Sequence, residues 1–197
     1  MADQSGTDFL VGAEGDRRKF LRETVGRLME EMVRRTERRV VPQRMFRPPG
    51  AIEEVAFLAA CTRCGDCFDV CPVGAIVRAP PEAGLAAGTP MIDPELQPCT
   101  VCPDMPCAKV CPTEALELPE RLWEGYRLAS LELVPERCIA FQEVDCDVCS
   151  RVCPVGEKAL SVDDGGKPVI RAEGCVGCGV CVRACVTTPA SLKLHFT

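Results

Sequence analysis

The sequence predicts an α+β fold of short helices and small strands, built as two similar modules behind an N-terminal amphipathic helix. Three observations predict it. Sixteen of the 197 residues are cysteine. Those cysteines fall into four runs of four, and each run is followed by similar text: PVGAI, PTEAL, PVGEKAL and TTPASL. Aromatic residues make up only 5%, with one Trp and one Tyr, so few large side chains are available for an ordinary core. Small folds of that composition are held together by disulfides or metals.

Residues 1–15 are polar and lack periodicity, and read as a disordered tail. From Asp16 to Val40, Phe20, Leu21, Val25, Leu28, Met29, Met32, Val33, Thr36 and Val40 recur at helical spacing. The stretch VPQRMFRPPG breaks that helix, so residues 16–50 form the amphipathic helix and a Pro-rich linker, and residues 51–197 form the cysteine region. Arg17-Arg18-Lys19-Phe20-Leu21-Arg22 has the form of a twin-arginine export motif. Arginines and glutamates follow it where an export signal needs an apolar stretch and a small-residue cleavage site. The expectation is a cytoplasmic chain, at most peripheral at the inner membrane face, with twin-arginine export to the periplasm as the alternative. No run approaches the roughly 18 apolar residues of a membrane span. The first 47 residues carry 11 Lys+Arg and 8 Asp+Glu, the remainder 12 and 21. That acidic balance argues against nucleic-acid binding. The basic helix reads as a solvated packing element or a docking face.

The first run is Cys61, Cys64, Cys67 and Cys71, followed by Pro72. The second is Cys99, Cys102, Cys107 and Cys111, followed by Pro112. The third is Cys138, Cys146, Cys149 and Cys153, followed by Pro154, with its first cysteine set back. The fourth is Cys175, Cys178, Cys181 and Cys185, with Val186 in place of Pro. The first and fourth have the C-x2-C-x2-C-x3-C spacing that binds 4Fe–4S clusters in bacterial ferredoxins. Three thiolates at that spacing wrap one cube, and backbone N–H groups of the same loop offset its negative charge. Gly65, Gly177 and Gly179 suit so tight a loop. The fourth cysteine of a run points to a neighbouring cluster. It is expected at the start of a short helical turn, where the following Pro fits. Disulfides would need an oxidising compartment. All-cysteine zinc would need four separate sites, because His195 is the only histidine. Sixteen thiolates therefore predict four 4Fe–4S clusters, two to each ferredoxin-like module. Extended segments at LASLELV and KPVIRAEG complete the repeat.

The segments RPPGAIEEVAFLAACTRCGDC, PCTVCPDMPCAKVCPTEAL and CIAFQEVDCDVCSRVCP resemble the NapG/MauM family of ferredoxin-type proteins. Phe141-Gln142 inside the split third run carries much of that likeness, which runs from Arg47 to the C-terminus. RRKFLR is similar to the family's export signal, although the apolar region after it is missing. The resemblance implies an electron relay between a membrane quinol-oxidising donor and a terminal oxidoreductase. The second run also resembles iron–sulfur subunits of molybdopterin oxidoreductases. That analogy implies clusters held by Cys61, Cys64, Cys67 and Cys185; by Cys175, Cys178, Cys181 and Cys71; by Cys99, Cys102, Cys107 and Cys153; and by Cys138, Cys146, Cys149 and Cys111. Sequential pairing, run one with two and three with four, is the alternative.

An enzyme is not expected. Four thiolates on each cube leave no open iron, no cysteine is spare, and His195 stands alone in the tail. Gly165-Gly166 reads as a turn rather than a nucleotide loop. A structural or assembly subunit of an oxidoreductase complex, whose clusters only hold the fold, is the rival reading. Phe57, Phe68 and Phe141, near the cysteines, are expected to pack against the clusters.

Overall fold

The computed structural model describes residues 45–196, together with Gly26. The tail expected over residues 1–15, the helix expected from Asp16 to Val40 and the RRKFLR motif lie outside the described residues, Gly26 apart.

The described chain is a small mixed helix–strand fold. It opens on α1 (Glu54–Ala60), which the Glu53 carboxylate caps by accepting the Val55 and Ala56 N–H groups. Cys61 ends it, and Phe57 is its wholly buried residue. Four further helices are single turns: α2 (Asp66–Asp69), α3 (Pro106–Lys109), α4 (Val148–Arg151) and α5 (Val180–Arg183). Each carries the third cysteine of its run and ends before the fourth. The expected order is thereby corrected: the helical turn precedes the fourth cysteine. The chain enters three of these turns through a left-handed residue, at Gly65, Met105 and Gly179. A helix of one turn does not hold itself together in water, so what the cysteines bind and what they pack against must fix it.

The strands form three antiparallel ribbons. β1 (Ile76–Arg78) pairs with β2 (Pro90–Ile92), setting Ile76 opposite Ile92. β4 (Leu160–Val162) pairs with β5 (Pro168–Ile170), setting Leu160 opposite Ile170. Between them the Asp163 carboxylate accepts the Gly165 and Lys167 N–H groups at 2.9 Å each, so the Gly-Gly pair is a turn. β3 (Ser130–Leu133) pairs over a long sequence distance with β6 (Leu192–His195). Two-stranded ribbons are marginal alone. These bury their inner residues in cores shared with cysteines. One core gathers Phe57, Ile76, Ile92, Met105, Leu116 and Val176 with Cys67, Cys99, Cys107 and Cys178. Another joins Leu160 and Leu192 to Cys181. The hairpins β1–β2 and β4–β5 matter most for the site. The first folds run two back onto run one, and the second folds run four back onto run three.

Candidate metal centres

The cysteine loops share a backbone conformation that their side chains do not advertise. The residue before the second cysteine has positive φ in runs one, two and four: Arg63 (59°), Val101 (58°) and Gly177 (68°). So does the residue two before the third cysteine: Gly65, Met105 and Gly179. For a β-branched residue such as Val101 this region is strained. Its N–H donates to Cys99 Sγ at 3.4 Å, the contact that the strained turn allows. At Gly177 and Gly179 glycine is required twice over. A Cβ on Gly177 would fall 2.0 Å from the Ala129 carbonyl oxygen, and one on Gly179 would fall 2.6 Å from Pro94 Cβ. The fourth loop is therefore pressed against chain segments well before it in sequence.

The sixteen cysteines line four cavities of similar size, about 350, 360, 330 and 350 Å³ counting space open to solvent. Cys61, Cys64, Cys67 and Cys111 line the first. Cys71, Cys99, Cys102 and Cys107 line the second. Cys153, Cys175, Cys178 and Cys181 line the third, and Cys138, Cys146, Cys149 and Cys185 the fourth. In every case three cysteines of one run meet the fourth cysteine of another. The partner differs from the analogy. Cys185 meets the third run rather than the first, Cys71 the second rather than the fourth, Cys153 the fourth rather than the second, and Cys111 the first rather than the third. The runs meet in sequential pairs because the two hairpins between them close locally, and short closure costs less entropy than a long return.

The cavities adjoin in a row. Cys67 of the first, Cys99 and Cys107 of the second and Cys178 of the third share one core, and Cys149 of the fourth packs against the core of Cys181 of the third. Burial dominates these thiols. It pushes Cys67 and Cys99 up to about 12, and Cys107 and Cys178 up to about 11, with Cys181 also well raised. Thiols so raised stay protonated at neutral pH, so a cation must displace their protons before they can act as thiolate ligands. Two fourth cysteines run the other way. Burial raises Cys111, but N–H bonds from Leu116 and Thr113 and the Thr113 hydroxyl outweigh it. Burial also raises Cys185, but the Ser191 and Thr187 hydroxyls and N–H groups hold it at about 7. Those hydroxyl oxygens lie 3.3 and 3.2 Å from Cys185 Sγ, and the Ser191 N–H donates to it at 3.4 Å. Hydrogen bonds to a ligating sulfur favour the reduced state of a cluster and raise its potential.

This donor set fits an iron–sulfur cube. Four thiols surround each cavity, the walls are largely apolar, and N–H groups reach the sulfurs of Cys71, Cys99, Cys111 and Cys185. A single zinc ion would draw its four thiolates to within about 4 Å of one another. Among the described residues no group of three or more His, Cys, Asp or Glu converges in that way.

The aromatic expectations divide. Phe57 and Phe68 line the first cavity, and the Arg78 guanidinium lies 4.7 Å above the Phe68 ring. Phe141 is exposed instead, beneath the Lys167 ammonium. Sequence reasoning missed Trp123, which lines the second cavity and donates its indole N–H to the Cys102 carbonyl at 2.7 Å. It also missed Thr187 and Ser191. The available signal was a threonine two places after the fourth cysteine, as at both Cys111-Pro-Thr113 and Cys185-Val-Thr187. His195 lies on β6, exposed and paired with Glu132, and lines none of the four cavities.

A family model described as a 4Fe-4S dicluster domain matches residues 60–115, the stretch that holds runs one and two. The chain is 39% identical to the ferredoxin-type protein NapG of Escherichia coli (strain K12), over 76% of this chain and 69% of the relative. It is 37% identical to the methylamine utilization ferredoxin-type protein MauM of Paracoccus denitrificans, over 78% and 72%. To NapG of Haemophilus influenzae it is 36% identical, over 91% and 71%.

Proposed function

We propose, for a chain that belongs to the NapG and MauM family of ferredoxin-type proteins, that it relays single electrons through four 4Fe–4S clusters in two ferredoxin-like modules. The observation that carries this reading is the row of four all-cysteine cavities. The ligand sets are the quartets that line them: Cys61, Cys64, Cys67 and Cys111; Cys71, Cys99, Cys102 and Cys107; Cys153, Cys175, Cys178 and Cys181; Cys138, Cys146, Cys149 and Cys185. A bound cube supplies a one-electron store whose potential the protein sets through hydrogen bonds, charge and burial. The chain's own part is to hold the quartets in sequence, wall them with apolar side chains and direct N–H groups at their sulfurs.

The relay has a donor on one side and a terminal oxidoreductase on the other, and the chain itself has no substrate site. Four cysteines at every cavity leave no thiol over as a nucleophile. A membrane-bound, quinol-linked donor suits this reading. Among the described residues no helix is long and apolar enough to cross a membrane. The absence of an apolar stretch after Arg17-Arg18-Lys19 supports a cytoplasmic chain. Residues 1–50 fused to a reporter should stay in the cytoplasm, and efficient export would reverse that placement.

Anaerobically prepared protein is expected to be brown and to hold about sixteen irons per chain. Dithionite should generate paramagnetic signals from the reduced clusters. A specific observation favours the structural rival: the one-turn helices and thin cores depend on what the cysteines bind. Full iron content with no response to dithionite would decide for that rival and against the relay.

A further inference from the structure

At one end of the row, the fourth cavity lies beside exposed apolar side chains. Phe141, Val144 and Val186 are exposed there by 38, 50 and 58%. They belong to one place. Val186 and Ile139 line the cavity, Phe141 N–H donates to the Cys138 carbonyl, and Val144 N–H donates to the Ile139 carbonyl. Pro168 lines the same cavity, and the preceding Lys167 reaches the Phe141 ring. Carboxylates flank the collar residues in sequence. Glu136, Glu143 and Asp145 are exposed, and Arg137 and Lys167 are the cations nearest them in sequence or contact. Asp147 is already paired with Arg151 at 3.0 Å. Beneath the collar, Cys185 receives the hydroxyl and N–H bonds described above, as Cys111 receives its own at the first cavity, so both ends of the row favour holding an electron.

We propose that this collar is the docking surface for one redox partner, a protein presenting an apolar centre rimmed by basic side chains. The proposal rests on the relay reading. Apolar contact excludes water at the point of closest approach, and opposite charge steers the encounter. One electron passes per encounter, so that one protein is oxidised and the other reduced by one electron, and no atom is transferred.

The test uses full-length, cluster-loaded protein reduced by light and deazaflavin, with a basic single-haem cytochrome c as the probe. Its ferric haem gains the one electron that the chain loses. Reversing two carboxylates at the collar, Glu143→Lys with Asp145→Lys, should slow haem reduction about tenfold at low ionic strength. High salt should erase the difference. Glu82→Lys with Glu95→Lys makes the same change in net charge away from the collar and should slow it far less. Equal slowing by both pairs, or none by either, overturns the docking site while leaving the relay intact. Visible spectra and iron content of each variant show that its clusters are in place. A chain that binds iron but cannot be photoreduced removes the relay, and this proposal with it.

Discussion

Cys71→Ser should cost the protein the cluster of the second run while sparing the cluster of its own run. Cys71 lines the cavity of Cys99, Cys102 and Cys107, whereas the first cavity is completed by Cys111. Serine supplies an oxygen of poorer affinity for iron than thiolate, so the second cube is lost or degraded. Iron should fall from about sixteen per chain to as few as about twelve. The decisive comparison is spectral. The signal missing from reduced Cys71→Ser should be the signal missing from Cys99→Ser, and Cys111→Ser should match Cys61→Ser. If Cys71→Ser instead resembles Cys175→Ser, the cavities seen here do not describe the bound clusters and the analogy to molybdopterin subunits stands.

The contrast between spacing and pairing shows what the sequence makes legible. A run of C-x2-C-x2-C-x3-C states that three thiols act together and a fourth acts elsewhere, because that follows from local geometry. It does not state where. The partner run is chosen by the chain between runs, and here Asp163, Gly165, Gly166 and Lys167 build a tight turn. That turn was readable, and so was the extended segment after it. Neither states which run supplies each fourth cysteine. Other features had no local signature. Val101 and Met105 adopt left-handed backbone where their side chains disfavour it; the Val101 N–H then reaches Cys99 Sγ and the Met105 N–H the Cys102 carbonyl. Ser191 reaches Cys185 from six residues away because the intervening chain bends back. Gly179 looked like a generic loop glycine, yet what it accommodates is Pro94, from another part of the chain.

Arg47 was equally silent in the sequence, and its replacement is expected to be among the most destabilising single changes outside the cysteines. Its side chain is only 8% exposed. The guanidinium makes a two-pronged pair with the Glu54 carboxylate at 3.0 and 2.6 Å. It also donates to Thr89 Oγ1 at 2.8 Å and to the Pro90 carbonyl at 2.7 Å, and it lies 4.5 Å above the Phe57 ring. One side chain thus ties the linker, α1 and β2 together around a phenylalanine that lines the first cavity. Arg47→Met leaves the Glu54 carboxylate partly buried without its cation and the Pro90 carbonyl without its donor. The expected loss is about 3 to 5 kcal/mol. Lysine keeps the charge but neither the fork nor the stacking, so Arg47→Lys should recover less than half of it. Anaerobic denaturant unfolding of the loaded protein measures both. Because Phe57 and Cys61 follow from α1, the first cluster's signal should bleach before the fourth's as denaturant rises. A change below about 0.5 kcal/mol in Arg47→Met would mean the ion pair holds nothing that packing does not. Simultaneous bleaching of both clusters would mean α1 is no local latch but part of one cooperative unit.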